Sequence, residues 1–335
     1  MDEFRCVAYR GRPPLLLCCE PKLRALPNGE WVVAFLSGAD QEPASGNPHA
    51  LIRSADRGRT WSAPEIIHPH PGQENCAGEL IVDEHRLLFL SCVHDGAFGD
   101  WRCIEQESAD GGRSWSEPRP FEALPERGMF MATYRASWGE WLTPFEYFPS
   151  AERQEGADGR VGLRPFNGVL ISGDRGRSWT RSGLTGPHFS WAENNVVELR
   201  DGRLAMLIRY DHSGVIYRSD SEDRGRSWGP SAPTDIPNGG SKFRLFRLRD
   251  GRILLLNNPN PDIGRYNRLV DARTPLALWV SDDDMRTWAY RRVLTDFPGW
   301  LAYPDGFVDE DEGTVHFVFD YNRHDIILWS AAIPG

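Results

Sequence analysis

Glu20, Glu193 and Asp305 each stand at the mouth of a short apolar run, in "CCEPKL", "WAENNVVEL" and "LAYPDGFV". Two carboxylates held about 5 to 9 Å apart are the usual machinery of glycoside hydrolysis, the spacing deciding whether the second acts as nucleophile or as base. Asp305 lies two residues beyond Tyr303 on an extended stretch, so both side chains project to the same side. Histidine and aspartate recur together in "SCVHDGAFGDW" (His94, Asp95) and "RYDHSG" (Asp211, His212), while "FDYNRHD" adds Asp320, Asn322 and Arg323. Where such groups converge they bind a divalent cation or relay protons, and otherwise they are solvated loop residues. Trp138, Trp141, Tyr147 and Trp300 offer either faces on which a sugar stacks or core packing.

The composition narrows the partners. The 335 residues hold 48 acids against 38 lysines and arginines, a formal charge of -10. Phosphate backbones need a basic stripe, so no nucleic-acid partner is expected. Hydrophobic residues at 40% and charged residues at 26% describe a chain able to bury a core. No apolar run of about 18 residues occurs and no membrane partner is expected. The opening "MDEFRCVAYRGRPPLLLCCEPK" does not read as a secretion signal, and a cytoplasmic location is expected. Cysteines 6, 18, 19, 76, 92 and 103 show no CxxC pairing and read as small buried hydrophobes. No nucleotide-binding glycine loop or zinc spacing is present, so the chain is expected to need no cofactor, with calcium the one ion left open. Oligomeric state is not legible.

The elements that must position these residues are written in a repeat. "SADRGRTW" begins at Ser54 and returns as "SADGGRSW" at Ser108, "SGDRGRSW" at Ser172, "SEDRGRSW" at Ser221 and "SDDDMRTW" at Ser281. The intervals of 49 to 64 residues suit a propeller blade with loops. Each copy closes a unit of strand, turn, strand, loop and strand, as in "ENNVVELRDGRLAMLIRYDHSGVIYRSDSEDRGRSW", whose second run reads as alternating. Six such units predict an all-β fold, a six-bladed β-propeller of four-stranded antiparallel blades, spanning residues 1–335 as a single domain. The sixth unit lacks its outer strand, and "FRCVAYR" at the N-terminus has no blade of its own. It is expected to complete blade six and close the ring. The repeat itself is a hairpin staple: Ser and Asp oxygens accept backbone N–H bonds, Gly supplies positive φ and Trp packs on its blade. Met285 in place of Gly predicts a looser fifth turn.

The repeat S-x-D-x-G-x-[ST]-W, four times complete and once in part, resembles the Asp boxes of the sialidase (neuraminidase) superfamily, and the likeness runs over essentially the whole chain. The resemblance implies a glycan or small sugar as partner and an exo-acting glycoside hydrolase. In it, arginines hold a substrate carboxylate, an Asp is the acid/base, and a Tyr activated by a Glu attacks the anomeric carbon. A neutral phenol avoids the repulsion that a carboxylate on that carbon imposes on an anionic nucleophile. "WAENNVVELRDGRLAMLIR" is similar to the segment supplying the Glu and the second arginine, which implies Glu193 and Arg209, with Glu198 structural. "RTPLALW" implies Arg273 as the third arginine, with Arg265 and Arg268 as competitors, and "LAYPDG" implies Tyr303 as nucleophile with Asp305 in reserve. Asp95 is counted with the substrate-binding groups. For the acid/base, "SGADQEPASGNP" offers Asp40 and Glu42, with Asp40 preferred by position.

The chain departs from the family at its first arginine. Where a "RIP" triplet is usual, "CCEPKL" places Cys19 or Glu20. An acid there repels a substrate carboxylate, whereas an arginine would grip it through two donors. A glycosidase or lyase for another sugar, working through Glu20 and Glu193, and a non-catalytic glycan-binding propeller are the alternatives.

Overall fold

The structure, a computed structural model, describes residues 3–68, 70–150, 152–155, 161–263, 269–295 and 297–335. It is all-β, with the six four-stranded antiparallel blades of a β-propeller. The chain divides into two compact units, Met1–Glu126 with Ala302–Gly335, and Arg127–Leu301.

The first unit holds blades one, two and six. Blade one is Leu17–Ala25, Trp31–Gly38, His49–Ser54 and Glu65–His68; blade two is Glu74–Val82, Leu87–His94, Arg102–Ser108 and Arg119–Pro120. Blade six is Leu301–Asp309, Thr314–Tyr321 and Asp325–Ala332, completed as expected by the N-terminal strand Phe4–Arg10. That strand runs antiparallel to Asp325–Ala332, with Phe4 opposite Ser330 and Arg10 opposite Asp325. The second unit holds blades three to five. In blade three the first strand is split into Gly128–Phe130 and Tyr134–Arg135, both paired with Trp141–Tyr147 and followed by Phe166–Ser172 and Thr180–Arg181. Blade four is Asn194–Glu198, Leu204–Ile208, Val215–Ser221 and Ala232–Pro237. Blade five is Arg244–Arg247, Ile253–Asn257, Ala277–Ser281 and Tyr290–Val293.

The second strands Trp31–Gly38, Leu87–His94 and Leu204–Ile208 are buried at every position. The alternation expected for "RLAMLIRY" is therefore corrected, and the reason is packing on both faces. Leu204, Met206 and Ile208 join a core with Val169 and Ile171 of blade three, while Ala205 and Leu207 join another with Ile253 and Leu255 of blade five. The outer strand of blade five, Tyr290–Val293, does alternate between half-buried and exposed positions. Trp141 is buried and belongs to the core reading of the aromatics.

The five repeats form one turn. Ser221 Oγ accepts the Gly225 N–H at 2.8 Å and donates to Asp223 Oδ1 at 2.8 Å, and the Asp223 carboxylate takes the Ser227 N–H at 2.9 Å and its hydroxyl at 2.6 Å. These donors hold the Asp56, Asp174 and Asp283 carboxyls down to about 2. The fifth turn is not looser. Met285 takes the glycine position at φ 65°, donates its N–H to Ser281 Oγ at 2.9 Å, and buries its side chain against Trp279 and Trp288. The strain of a side chain at positive φ is offset there by core contact. Ser221→Ala leaves the buried Gly225 N–H without its acceptor and is expected to lower unfolding stability by about 1–3 kcal/mol, measured by urea denaturation.

Candidate functional site

In the first unit the site begins with two strained residues. The first strand of blade one bulges between Cys19 and Lys22, and Glu20 sits there in the left-handed region at φ 53°. Tyr303, in the first strand of blade six, is left-handed too at φ 59°, directly before Pro304. Such positions cost on the order of 1–3 kcal/mol each for a non-glycine residue, and persist only where the surroundings fix them. Leu17, Cys19, Leu36 and Ala302 pack around Tyr303 and do so.

Arg323 arrives from the turn between the second and third strands of blade six. Asn322 and Arg323 both take positive φ, and the Cys18 N–H donates to the Arg323 carbonyl at 2.6 Å, docking the turn onto blade one. The guanidinium contacts the Cys19 sulfur, donates through Nη1 to Glu42 Oε2 at 2.9 Å and through Nη2 to Tyr303 Oη at 3.3 Å, and lies 5.0 Å from the Tyr303 ring centroid. The Cys19 thiol donates to the same Glu42 oxygen at 3.3 Å. Burial opposes the Arg323 charge, and Cys19, Tyr303, Glu42 and Asp320 outweigh it. Burial likewise lifts the Cys19 thiol well above its ordinary value, with Arg323 pulling it back.

Cys19, Glu20 and Glu42 bring their ligand atoms within 4.8 Å of one another. A thiolate with two carboxylates could hold a cation. Arg323 already stands there as the cation and Cys19 keeps its proton, so the set fits a guanidinium and not a metal ion.

Asp40 is not part of this group. Its side chain is 75% exposed and accepts from His324 Nε2 at 2.8 Å, while Glu42, two residues on, turns inward. The structure brings Glu42, and not the preferred Asp40, to Arg323 and Cys19, because the loop points successive acids in opposite directions. Glu74 and Asn47 fasten that loop. Fully buried Glu74 accepts the Ala44 N–H at 2.5 Å and the Asn47 amide at 3.3 Å, and Asn47 in turn donates to the Gln41 carbonyl and accepts from the Ala39 N–H. Burial, with the Glu42 charge adding to it, pushes the Glu74 carboxyl up to about 8. His94 lies 3.9 Å from it and is pushed down to about 4 by burial, its Nδ1 accepting the Gly96 N–H. Both are neutral at pH 7.

Two further expected site residues have other work. Asp305, expected as a reserve acid, is buried in an ion pair with Arg24, which also holds Glu79 at 2.8 Å. Asp95 is exposed and caps its own loop, accepting the Ala97 and Gly99 N–H groups at 2.8 and 2.9 Å.

In the second unit Glu193, Arg209 and Asp211 are buried together. Arg209 Nη1 reaches both Glu193 oxygens at 3.0 and 2.8 Å and its Nε reaches Asp211 at 2.7 Å, so the arginine expected to grip substrate is held by two acids of the chain. Lys242 Nζ stands 3.8 Å from Glu193. Arg273 is buried and donates from Nε to the Gly240 carbonyl at 3.1 Å. Glu146 accepts the Ala192 N–H at 2.6 Å, and burial, then the Glu193 charge, raises it well above the usual carboxylate range. Arg209, Lys242 and Arg273 are thus buried in the same unit as Glu193 and Asp211, and burial raises the Asp211 carboxyl above its ordinary value while Arg209 pulls it back. Glu198 caps Ser137 as a structural acid, accepting its N–H and hydroxyl. Arg265 and Arg268 lie outside the described residues.

Residues 52–317 match the family model of the BNR repeat-like domain. The chain belongs to the BNR repeat-like domain family. No curated protein sequence matches it. Among solved structures, this BNR-repeat chain is similar to a Hadza microbial sialidase, with a TM-score of 0.78 and 17% identity over 98% of this chain and 68% of that one. A protein of unknown function from Dyadobacter fermentans gives 0.74 and 19% over 98% of both chains. The NanB sialidase of Streptococcus pneumoniae gives 0.73 and 14% over 98% and 70%. At these identities the likeness is one of fold.

Three residues of this BNR-repeat site escaped or were under-ranked by sequence reasoning. Arg323 was visible only as one polar group in a turn, and Glu42 ranked behind Asp40. Glu74 had a signal that went unused: "ENCAGEL" opens blade two as "ENNVVEL" opens blade four, with Glu74 in the place of Glu193.

The pH dependence of Glu74 has a definite sign. Its folded pKa lies above the unfolded carboxyl value near 4.5, so its contribution is present at pH 4–5 and lost as pH rises through about 8. Wild type is therefore expected to lose stability from pH 5 to pH 9 relative to Glu74→Gln, read from urea midpoints at each pH. Arg24→Met leaves Glu79 and Asp305 buried without their cation and is expected to cost about 3–5 kcal/mol in the same assay.

Proposed function

We propose that the chain is an exo-acting glycoside hydrolase of the sialidase type, acting on terminal sialic acid or a related acidic sugar. The observation that carries this reading is Arg323. Its guanidinium stands against Cys19, where the resemblance leads one to expect an arginine, and donates to both Glu42 and the Tyr303 hydroxyl. The missing first arginine is thus replaced in space by one from another blade of the same unit.

In this reading an incoming substrate carboxylate takes the place of Glu42 on Arg323. Two acids competing for one guanidinium favour a proton on the displaced one, which readies Glu42 as the acid. Tyr303 Oη forms a bond to the anomeric carbon as the glycosidic C–O bond breaks. The Glu42 proton goes to the leaving oxygen, and the phenolic proton leaves to a carboxylate as the nucleophile attacks. The Nη2 donor is aimed at the oxygen where phenolate charge develops. Water then cleaves the tyrosyl intermediate with Glu42 as base. The buried side chains of Arg209, Lys242 and Arg273 in the second unit are cationic partners that also suit an acidic sugar.

One observation favours a second reading. Glu20 and Glu42 offer carboxylate oxygens within 4.8 Å of one another, near the separation of about 5 to 5.5 Å used by retaining enzymes on neutral sugars. A panel of aryl sialosides and neutral aryl glycosides separates the two. Sialoside turnover is expected, with kcat/KM falling about 10²- to 10⁴-fold in Tyr303→Phe and Glu42→Gln, while Asp40→Asn stays within about 3-fold. Neutral-sugar turnover that survives Tyr303→Phe but is lost in Glu20→Gln would transfer the chemistry to the carboxylates. Binding without turnover of any substrate would make the propeller a glycan-binding module.

A further inference from the structure

At the opposite end of the blade-six strands from Tyr303, a second set of polar side chains meets. The first strand ends at Asp309, the turn supplies Glu312, whose N–H donates to Asp309 Oδ1 at 3.1 Å, and His316 follows in the second strand. One ligand atom from each of the three lies within 4.8 Å of the others. His316 is 2% exposed and lies against Trp31 and Phe307, at 4.7 and 5.2 Å between ring centroids. Its Nδ1 is taken by Ser330 Oγ at 2.7 Å, while its Nε2 is buried with no hydrogen-bond partner among the described residues. A buried imidazole nitrogen left unsatisfied costs stability unless something binds it. A cavity of about 400 Å³, lined by Glu3, Phe4, Trp31, Arg57, Arg59 and His316, opens onto this ring.

We propose that Asp309, Glu312 and His316 form a binding site for a divalent transition-metal ion such as Zn²⁺, with Arg57 as the side chain that closes it in the ion's absence. One imidazole nitrogen with two carboxylates is a donor set for zinc or its neighbours, whereas calcium takes oxygen alone. Arg57 now neutralises the acids, at 2.7 and 2.5 Å from the Glu312 oxygens and 3.6 Å from Asp309. Its side chain is 49% exposed, and exposed ion pairs are weak. Swinging Arg57 into solvent therefore costs little, and the ion that replaces it brings two charges and occupies the imidazole nitrogen. The site sits where Ser330 pairs with Phe4 of the N-terminal strand, so bound metal would pin the strand that completes blade six.

The test is calorimetric titration of the chelator-dialysed full chain with Zn²⁺ and, separately, Ca²⁺, together with thermal melting. One Zn²⁺ per chain is expected, with a raised Tm. Arg57→Ala is expected to bind Zn²⁺ about 5-fold more tightly, because its competitor is gone. Asp309→Asn with Glu312→Gln, both partly exposed, is expected to lose the ion without unfolding, which covers the case in which a His316→Ala chain fails to fold. Zinc stoichiometry unchanged in the double variant would assign the binding to free thiols and overturn the site. So would Ca²⁺ bound in preference to Zn²⁺, an Arg57→Ala affinity no tighter than wild type, or no zinc bound at about 1 mM.

Discussion

Leu204, Met206 and Ile208 face one neighbouring blade and Ala205 and Leu207 face the other, and this double burial governs the rest of the molecule. A strand covered on both faces has no polar side to spare. The charged groups of the candidate site stand instead at strand ends, in first strands and in the turns between strands. Those are the places where Glu20, Glu193, Tyr303 and Arg323 stand. The packing thus decides where chemistry is possible before any particular residue decides what it is.

Charges brought into those places have to be matched. Arg24 sits between Glu79 and Asp305, Arg209 between Glu193 and Asp211, and Arg323 touches Cys19, Glu42 and Tyr303. The first two are closed sets, with each arginine held by acids on two sides. The third differs because one of its partners is a neutral phenol at a strained backbone position. Arg323 is shared among Glu42 at 2.9 Å, the more distant Asp320 at 4.0 Å and the phenol, and the functional reading rests on it and not on Arg209 because its partners include the Tyr303 hydroxyl.

Much of the fold was legible because the Asp-box turn is local: the side-chain bonds of its Ser and Asp fall within seven residues, and a local device leaves a local signature. The N-terminal strand was legible by elimination, since a three-stranded sixth unit required a partner. The site was legible only in part. Glu193 and Tyr303 were found through their places in blades, but their surroundings depend on contacts between residues 280 or more apart, as with Arg323 and Glu42. For Asp305, strand direction shows which side a carboxylate takes but not that Arg24 already waits there. Asp40 was preferred over Glu42 because an irregular loop carries no periodicity from which orientation can be read.

Blade six joins the two sites argued here without letting them touch. Tyr303 and Asp309 lie on one strand, six residues apart, and a strand rises about 3.3 Å per residue, which separates them by roughly 20 Å. Arg323 and His316 mark the corresponding ends of the next strand. An ion at the Asp309 end therefore cannot act electrostatically on the tyrosine through solvent at ordinary salt, since the separation exceeds a Debye length of about 8 Å. What it can do is mechanical. Tyr303 and the Arg323 turn hold left-handed backbone, and the blade that carries both is completed by a strand from the far end of the chain. Fixing Phe4 against Ser330 bears on that joint, and through it on how firmly the strained residues are held.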